Sequence, residues 1–181
     1  TKGRSGSAPY FSYAIGWAPN TSKFIFSMAT SGSTYTSITG SGVHSAGSGW
    51  KHVISVYDGA NMYLYVNGVQ EATIPLSGVI TYNIVDSDNL SIGYWGAAYL
   101  RAINGSLDEV RIYSRALGAN EVTRLYNTGA SKLTSATSDT ANGLVGHWKL
   151  DDRAGTRATD SSGRGNNGTL TNFALAGATS N

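Results

Sequence analysis

The 181-residue sequence has no cysteine. Disulfide frameworks, thiolate metal sites and cysteine nucleophiles are therefore excluded. Charge is scarce as well: Asp, Glu, Lys and Arg make up 13% of the chain, about half the ~25% usual in soluble domains. The net charge is only +2. Arg101, Arg111, Arg115 and Arg124 are spaced apart by apolar residues, so no basic run marks a nucleic-acid partner. No apolar stretch approaches the ~20 residues that a membrane span needs. The periodic Ala/Leu/Glu/Lys pattern of a helical bundle is nearly missing, which sets that class aside.

What the chain does have is 23 glycines, 4 tryptophans and 11 tyrosines against 40% hydrophobic residues, with much of the rest Ser, Thr and Asn. Such chains build many short strands joined by tight turns. Residues 1–9 read as a loop. Phe11 to Trp17, Lys23 to Met28 and Tyr35 to Thr39 read as strands, with Phe24 and Phe26 on one face of the second. From Trp50 to Tyr57 the alternation places His52, Ile54 and Val56 opposite Val53, Ser55 and Tyr57. Asp58-Gly59-Ala60-Asn61 is a turn, Met62 to Val66 the next strand. Asn67-Gly68 supplies the two positive-φ positions of a type I′ hairpin that returns through Val69 to Ile74. Asn89 to Tyr94 and Gly105 to Tyr113 are two further strands. The one helical pattern, Ala119 to Tyr126, carries Val122, Leu125 and Tyr126 at i, i+3, i+4 and meets a stop at Asn127-Thr128-Gly129. Ala130 to Gly143, poor in apolar residues, reads as a linker. Leu144 to Leu150 and Gly168 to Phe173 are strand-like, with a loop over 153–167. Trp50 and Trp148, at strand starts, are expected in the core.

Three segments carry a family resemblance. Trp50-Lys51-His52-Val53, running on through Tyr57-Asp58-Gly59 to Leu64-Tyr65-Val66-Asn67-Gly68, resembles the central meander of laminin-G-like, concanavalin A-like jelly-roll domains. Gly105-Ser106-Leu107-Asp108-Glu109-Val110-Arg111-Ile112-Tyr113-Ser114-Arg115-Ala116-Leu117, followed by Glu121-Val122, resembles the family's closing strand and short helix. Gly143-Leu144-Val145-Gly146-His147-Trp148-Lys149-Leu150-Asp151, with Asp160-Ser161-Ser162-Gly163 and Asn166-Asn167-Gly168-Thr169-Leu170, resembles the opening of such a domain. The order is inverted, because the opening segment follows the closing strand. The resemblance thus implies an all-β, antiparallel jelly-roll sandwich with one short helix. Residues 1–129 would be a sandwich lacking its opening strands, 130–141 a linker, and 142–181 the opening strands of this or a neighbouring copy. Either the chain is a piece of a tandem-repeat protein, or the tail completes a sandwich, its own or a neighbour's by strand donation.

Read as one strand, Gly105–Tyr113 puts Asp108 on the face of Val110 and Ile112, and a carboxylate there needs a cation or several donors. The resemblance implies a structural calcium ion held by Asp108 together with Asp160 and Asn166 of the opening loop. The alternative is hydrogen bonding to loop amides without metal. Adjacent strand residues diverge, so Asp108-Glu109 is not a catalytic carboxylate pair, and Asp151-Asp152 fails likewise. His44, His52 and His147 sit on separate segments without metal or triad spacing, so no catalytic residue is assigned. Tyr94 and Trp95, entering a loop that carries Tyr99, are the candidate sugar-stacking aromatics. The resemblance implies a non-catalytic extracellular or cell-surface binding and adhesion module for a glycan or surface polymer. The competing reading is a structural repeat of a surface stalk or filament, a homo-oligomer assembled head to tail by strand exchange.

Overall fold

The computed structural model describes residues 12–18, 21–31, 33–82, 90–95, 101–130, 141–152 and 155–170. The chain divides into two compact units, one comprising Thr1–Ile103 with Ala116–Leu133 and the other Asn104–Arg115 with Thr134–Asn181. Among the described residues the strands are all paired antiparallel, and the one α-helix lies between the strands Val110–Tyr113 and Leu144–Trp148.

The first unit holds two three-stranded sheets. One orders β1 (Tyr13–Trp17), β2 (Phe24–Thr30) and β3 (Ser33–Thr39). The other is the expected meander of β4 (Val53–Tyr57), β5 (Asn61–Val66) and β6 (Val69–Pro75). Asn67 and Gly68 take φ values of 50° and 78°, as a type I′ turn requires. The period-2 alternation supplies each sheet with one apolar face. Phe26, Met28 and Ile38 of the first sheet pack with Met62 and Leu64 of the second, flanked by Val53, Tyr57, Ala72 and Ile74. Met62 and Leu64 are wholly buried; removing such a side chain from water is worth about 1.5 to 3 kcal/mol. A short hairpin, β7 (Tyr94–Trp95) with β8 (Arg101–Ala102), also belongs to this unit.

Helix α1 spans Ala119–Ala130 and runs one turn past the expected stop. Its start carries half of a capping box: the Glu121 carboxylate accepts the Gly118 N–H at 2.9 Å, and the Val122 N–H to the Gly118 carbonyl at 3.0 Å is the first helical bond. Its end continues because the Thr128 hydroxyl bonds the Arg124 carbonyl and Gly129 stays within the helix. Val122 and Leu125 are buried. Tyr126 tilts against His52, ring centroids 5.8 Å apart, and rests on Gly68, where a Cβ would come within 3.0 Å of its ring.

In the second unit β9 (Val110–Tyr113) pairs with β10 (Leu144–Trp148), and β11 (Arg157–Ala158) pairs with β12 (Gly168–Thr169). The structure corrects the sequence reading at three points. The closing strand begins at Val110, not Gly105, because Glu109 takes φ 54°, which interrupts the extended backbone. The alternation assumed from 105 to 113 therefore does not run through Asp108, and Asp108 is exposed, not on the core face. At the other strand Leu150, φ 57°, ends the extension. Of the two strand-start tryptophans, Trp148 is buried as expected, but Trp50 is 68% exposed in a loop ahead of β4.

Candidate functional site

In the first unit the site starts from a backbone irregularity. Leu64 faces Ala72, but Tyr65 faces Gln70, so β6 carries one extra residue, Glu71, in a β-bulge. Bulges re-aim the side chain they carry. Here the Glu71 carboxylate enters the Gly40-Ser41-Gly42 loop after β3. It accepts the Gly42 N–H at 3.2 Å and the His44 Nε2–H at 2.8 Å. The two side chains are only 10% and 12% exposed. Both glycines leave room for this carboxylate: a Cβ on Gly40 or Gly42 would crowd it and push it aside.

His44 in turn lies against Phe24, centroids 5.3 Å apart, and Phe24 stacks on Trp17 at 4.3 Å with 23° between planes. Trp17 sits at the end of edge strand β1, in register with Phe24. One indole face is taken by Phe24, yet the residue remains 44% exposed, beside exposed Ile15 on the same strand face. The result is a supported aromatic ring open to solvent beside an apolar neighbour on its own strand. Ring stacking of this kind holds an aromatic in one orientation, and such a ring can receive the C–H face of a sugar.

In the second unit Asp160 is a buried hub. Its Oδ1 accepts the N–H groups of His147 (2.9 Å) and Ser162 (2.8 Å); its Oδ2 accepts the Ser162 hydroxyl (2.8 Å) and the Asn166 N–H (2.9 Å). Burial works against the charge, but the His147, Ser162 and Asn166 donors outweigh it and hold the carboxyl well below the usual range. Beside it, Glu109 accepts from both Arg111 and His147, the latter at 2.6 Å.

The residues assigned to calcium are placed as follows. Asp160 and Asn166 come together, but Asn166 faces Asp160 with a backbone N–H and spends its side-chain amide on the Val145 carbonyl. Asp108 is exposed at the approach to β9. A carboxylate offers about four lone-pair sites, and four protein donors fill those of Asp160, so this donor set does not fit a cation there. Among the described residues no cluster of three or more His, Asp or Glu side chains could hold a metal. The backbone of Tyr94 and Trp95 forms β7, with Trp95 opposite Arg101. Their side chains, and Tyr99 altogether, lie outside the described residues.

Sequence reasoning missed Trp17, Glu71 and His44 as a group. The one local signal was the Gly-Ser-Gly at 40–42; the bulge that delivers Glu71 has no signature in the strand itself.

A comparison with curated proteins found no match. Among solved structures, the chain is similar to a Bacteroides ovatus ATCC 8483 protein proposed to bind carbohydrate, with TM-score 0.63 and 20% identity over 93% of this chain. The chain spans about half, 48%, of that protein's length. It also matches residues 221–444 of an S-layer domain-containing protein from Clostridium thermocellum ATCC 27405, with TM-score 0.39 and 22% identity, covering 70% of this chain and 64% of that one. The family profile of the Concanavalin A-like lectin/glucanases superfamily, whose members are jelly-roll β-sandwiches, matches residues 2–123. With that match over most of its length, and with the antiparallel sheets of its described residues, the chain belongs to the Concanavalin A-like lectin/glucanases superfamily.

Proposed function

We propose that this chain is a non-catalytic glycan-binding module of a secreted or surface-attached protein, and that Trp17 is a stacking residue of its binding face. The observation that carries this reading is the half-open Trp17 ring, backed by Phe24 and uncharged on its strand face. A neutral sugar has apolar C–H faces that such a ring can cover, and ring orientation is already set before the ligand arrives. The superfamily holds lectins as well as glucanases, and the Bacteroides ovatus protein of similar fold is itself a proposed carbohydrate binder. The binding reading is favoured over hydrolysis because Glu71 and Glu109 are each engaged by a histidine and Asp160 by four donors. Tyr94, Trp95 and Tyr99 are proposed as further sugar-stacking residues on the strength of the sequence.

The test is a glycan array followed by calorimetric titration of the best neutral polysaccharide. Trp17→Ala is expected to weaken binding at least ~10-fold, which corresponds to ~1.4 kcal/mol, and Trp95→Ala to weaken it further. Failure of the unaltered chain to bind any glycan, or affinity indifferent to both substitutions, would overturn the reading.

A further inference from the structure

We infer that segment 142–170 is an exchangeable strand donor whose partner is β9 of a second copy of this chain. The second unit is built from two stretches, Asn104–Arg115 and Thr134–Asn181, while the intervening Ala116–Leu133, which includes all of α1, belongs to the first unit. No local chain connection therefore dictates that β9 and β10 come from the same molecule.

The donor carries its own internal bonds. The Asp160 carboxylate gathers the N–H groups of His147, Ser162 and Asn166. Trp148 Nε1 donates to the Asn166 carbonyl at 2.8 Å, Asn166 Nδ2 to the Val145 carbonyl at 2.7 Å, and the Ser161 N–H to the His147 carbonyl at 2.7 Å. All of these travel with the segment.

What joins donor to acceptor is a strand ladder with matching charge. Val110 faces Trp148, Arg111 faces His147, Ile112 faces Gly146 and Tyr113 faces Leu144. Glu109 bonds His147 across the pair. Ser114 N–H reaches the Gly143 carbonyl at 2.7 Å, and Arg115 Nε the Asn142 carbonyl at 2.9 Å. The register is written in residues 109–115 and 142–148 alone, so two copies can form it as well as one.

Because the contacts are the same in either arrangement, the balance is set by the effective concentration of the tethered tail. For a tail tethered through a short polar run, as the sequence reads over Ala130 to Gly143, that concentration is on the order of 1 mM. Dilute chains close on themselves. Chains crowded towards that concentration exchange tails, either reciprocally in a closed pair or onward from copy to copy, since each recipient still has a tail to donate.

The cysteine-free sequence allows a direct test. Tyr113→Cys and Leu144→Cys are made in separate chains with different mass tags, mixed, concentrated to about 1 mM, mildly oxidised and resolved under denaturing, non-reducing conditions. Exchange predicts that the mixed 113–144 disulfide exceeds either same-site disulfide by ~10-fold or more, because only paired strands hold cysteines at bonding distance. A mixed species no more abundant than random collision yields would overturn the inference. Light scattering of the unaltered chain decides the matter should either variant fail to fold. Mass rising above the monomer towards ~1 mM supports exchange, and a constant monomer mass over that range refutes it.

Discussion

The two units are held together by opposite means. The first closes over an apolar cluster of Phe26, Met28, Ile38, Met62 and Leu64, with its polar pair, Glu71–His44, placed at a sheet corner. The second is organised around a carboxylate, Asp160, whose four donors come from three residues, one on β10 and two in the loop that follows Asp160; Trp148 and Ala158 are its buried apolar residues among those described. An apolar core gains from water released and is insensitive to proton concentration. A carboxylate hub gains only while it is charged. Small units with little apolar area rely on polar networks of this kind, which are strong when every donor is met and fragile when one is lost.

The contrast can be broken by substitution. Leu64→Ala is expected to have the largest effect, about 2 to 5 kcal/mol of destabilisation in the first unit, read as early hydrogen exchange in β4–β6. Asp160→Asn comes next, at about 2 to 3 kcal/mol, because an amide presents a donor to N–H groups that need an acceptor; the loss of exchange protection should fall on the amides of His147, Ser162 and Asn166.

Acid separates the units without mutation. The Asp160 carboxyl titrates far below its unfolded value of about 4. The unfolded chain takes up that proton first, so the stabilisation is complete above about pH 4 and is lost progressively as pH falls below it. Amides around Asp160 should lose protection in that window while those of Met62 and Leu64 retain it. If both sets melt together at unchanged pH, the contrast fails.

Smaller effects sharpen it. Gly42→Ala puts a methyl against the Glu71 carboxylate and the His44 ring, costing about 1 kcal/mol and weakening any glycan binding through loss of the Phe24–Trp17 backing. Chelator should leave the melting temperature unchanged, since the lone pairs of Asp160 are spent on protein donors; a drop of several degrees would restore calcium to the hub.

Much of the first unit was legible locally. Alternating side chains from Val53 to Pro75 and the Asn67-Gly68 turn are properties of consecutive residues, and the meander followed them. The apolar stripe of α1 was legible for the same reason, although its last turn was not, because Gly129 could terminate or continue the helix. The site was far less legible. Trp50, expected inside, is outside, and Trp17, unremarked, is the supported ring. A tryptophan's burial depends on what covers its strand face, and that cover comes from elsewhere in the chain.

Sequence alone therefore determined the strand periods, the turns, the missing cysteine chemistry and the likeness to a superfamily, because each is carried by composition or by neighbours in the chain. Tertiary structure decided that Asp108 faces solvent, that Glu71 meets His44 and Glu109 meets His147, and that Asp160 is satisfied by amides. Those outcomes turned on one left-handed residue at 109, one bulge at 71, and donors that lie from two to thirty-eight residues away in the chain. Single backbone angles of that kind are fixed by the packing they enter, and no stretch of residues read in isolation contains it.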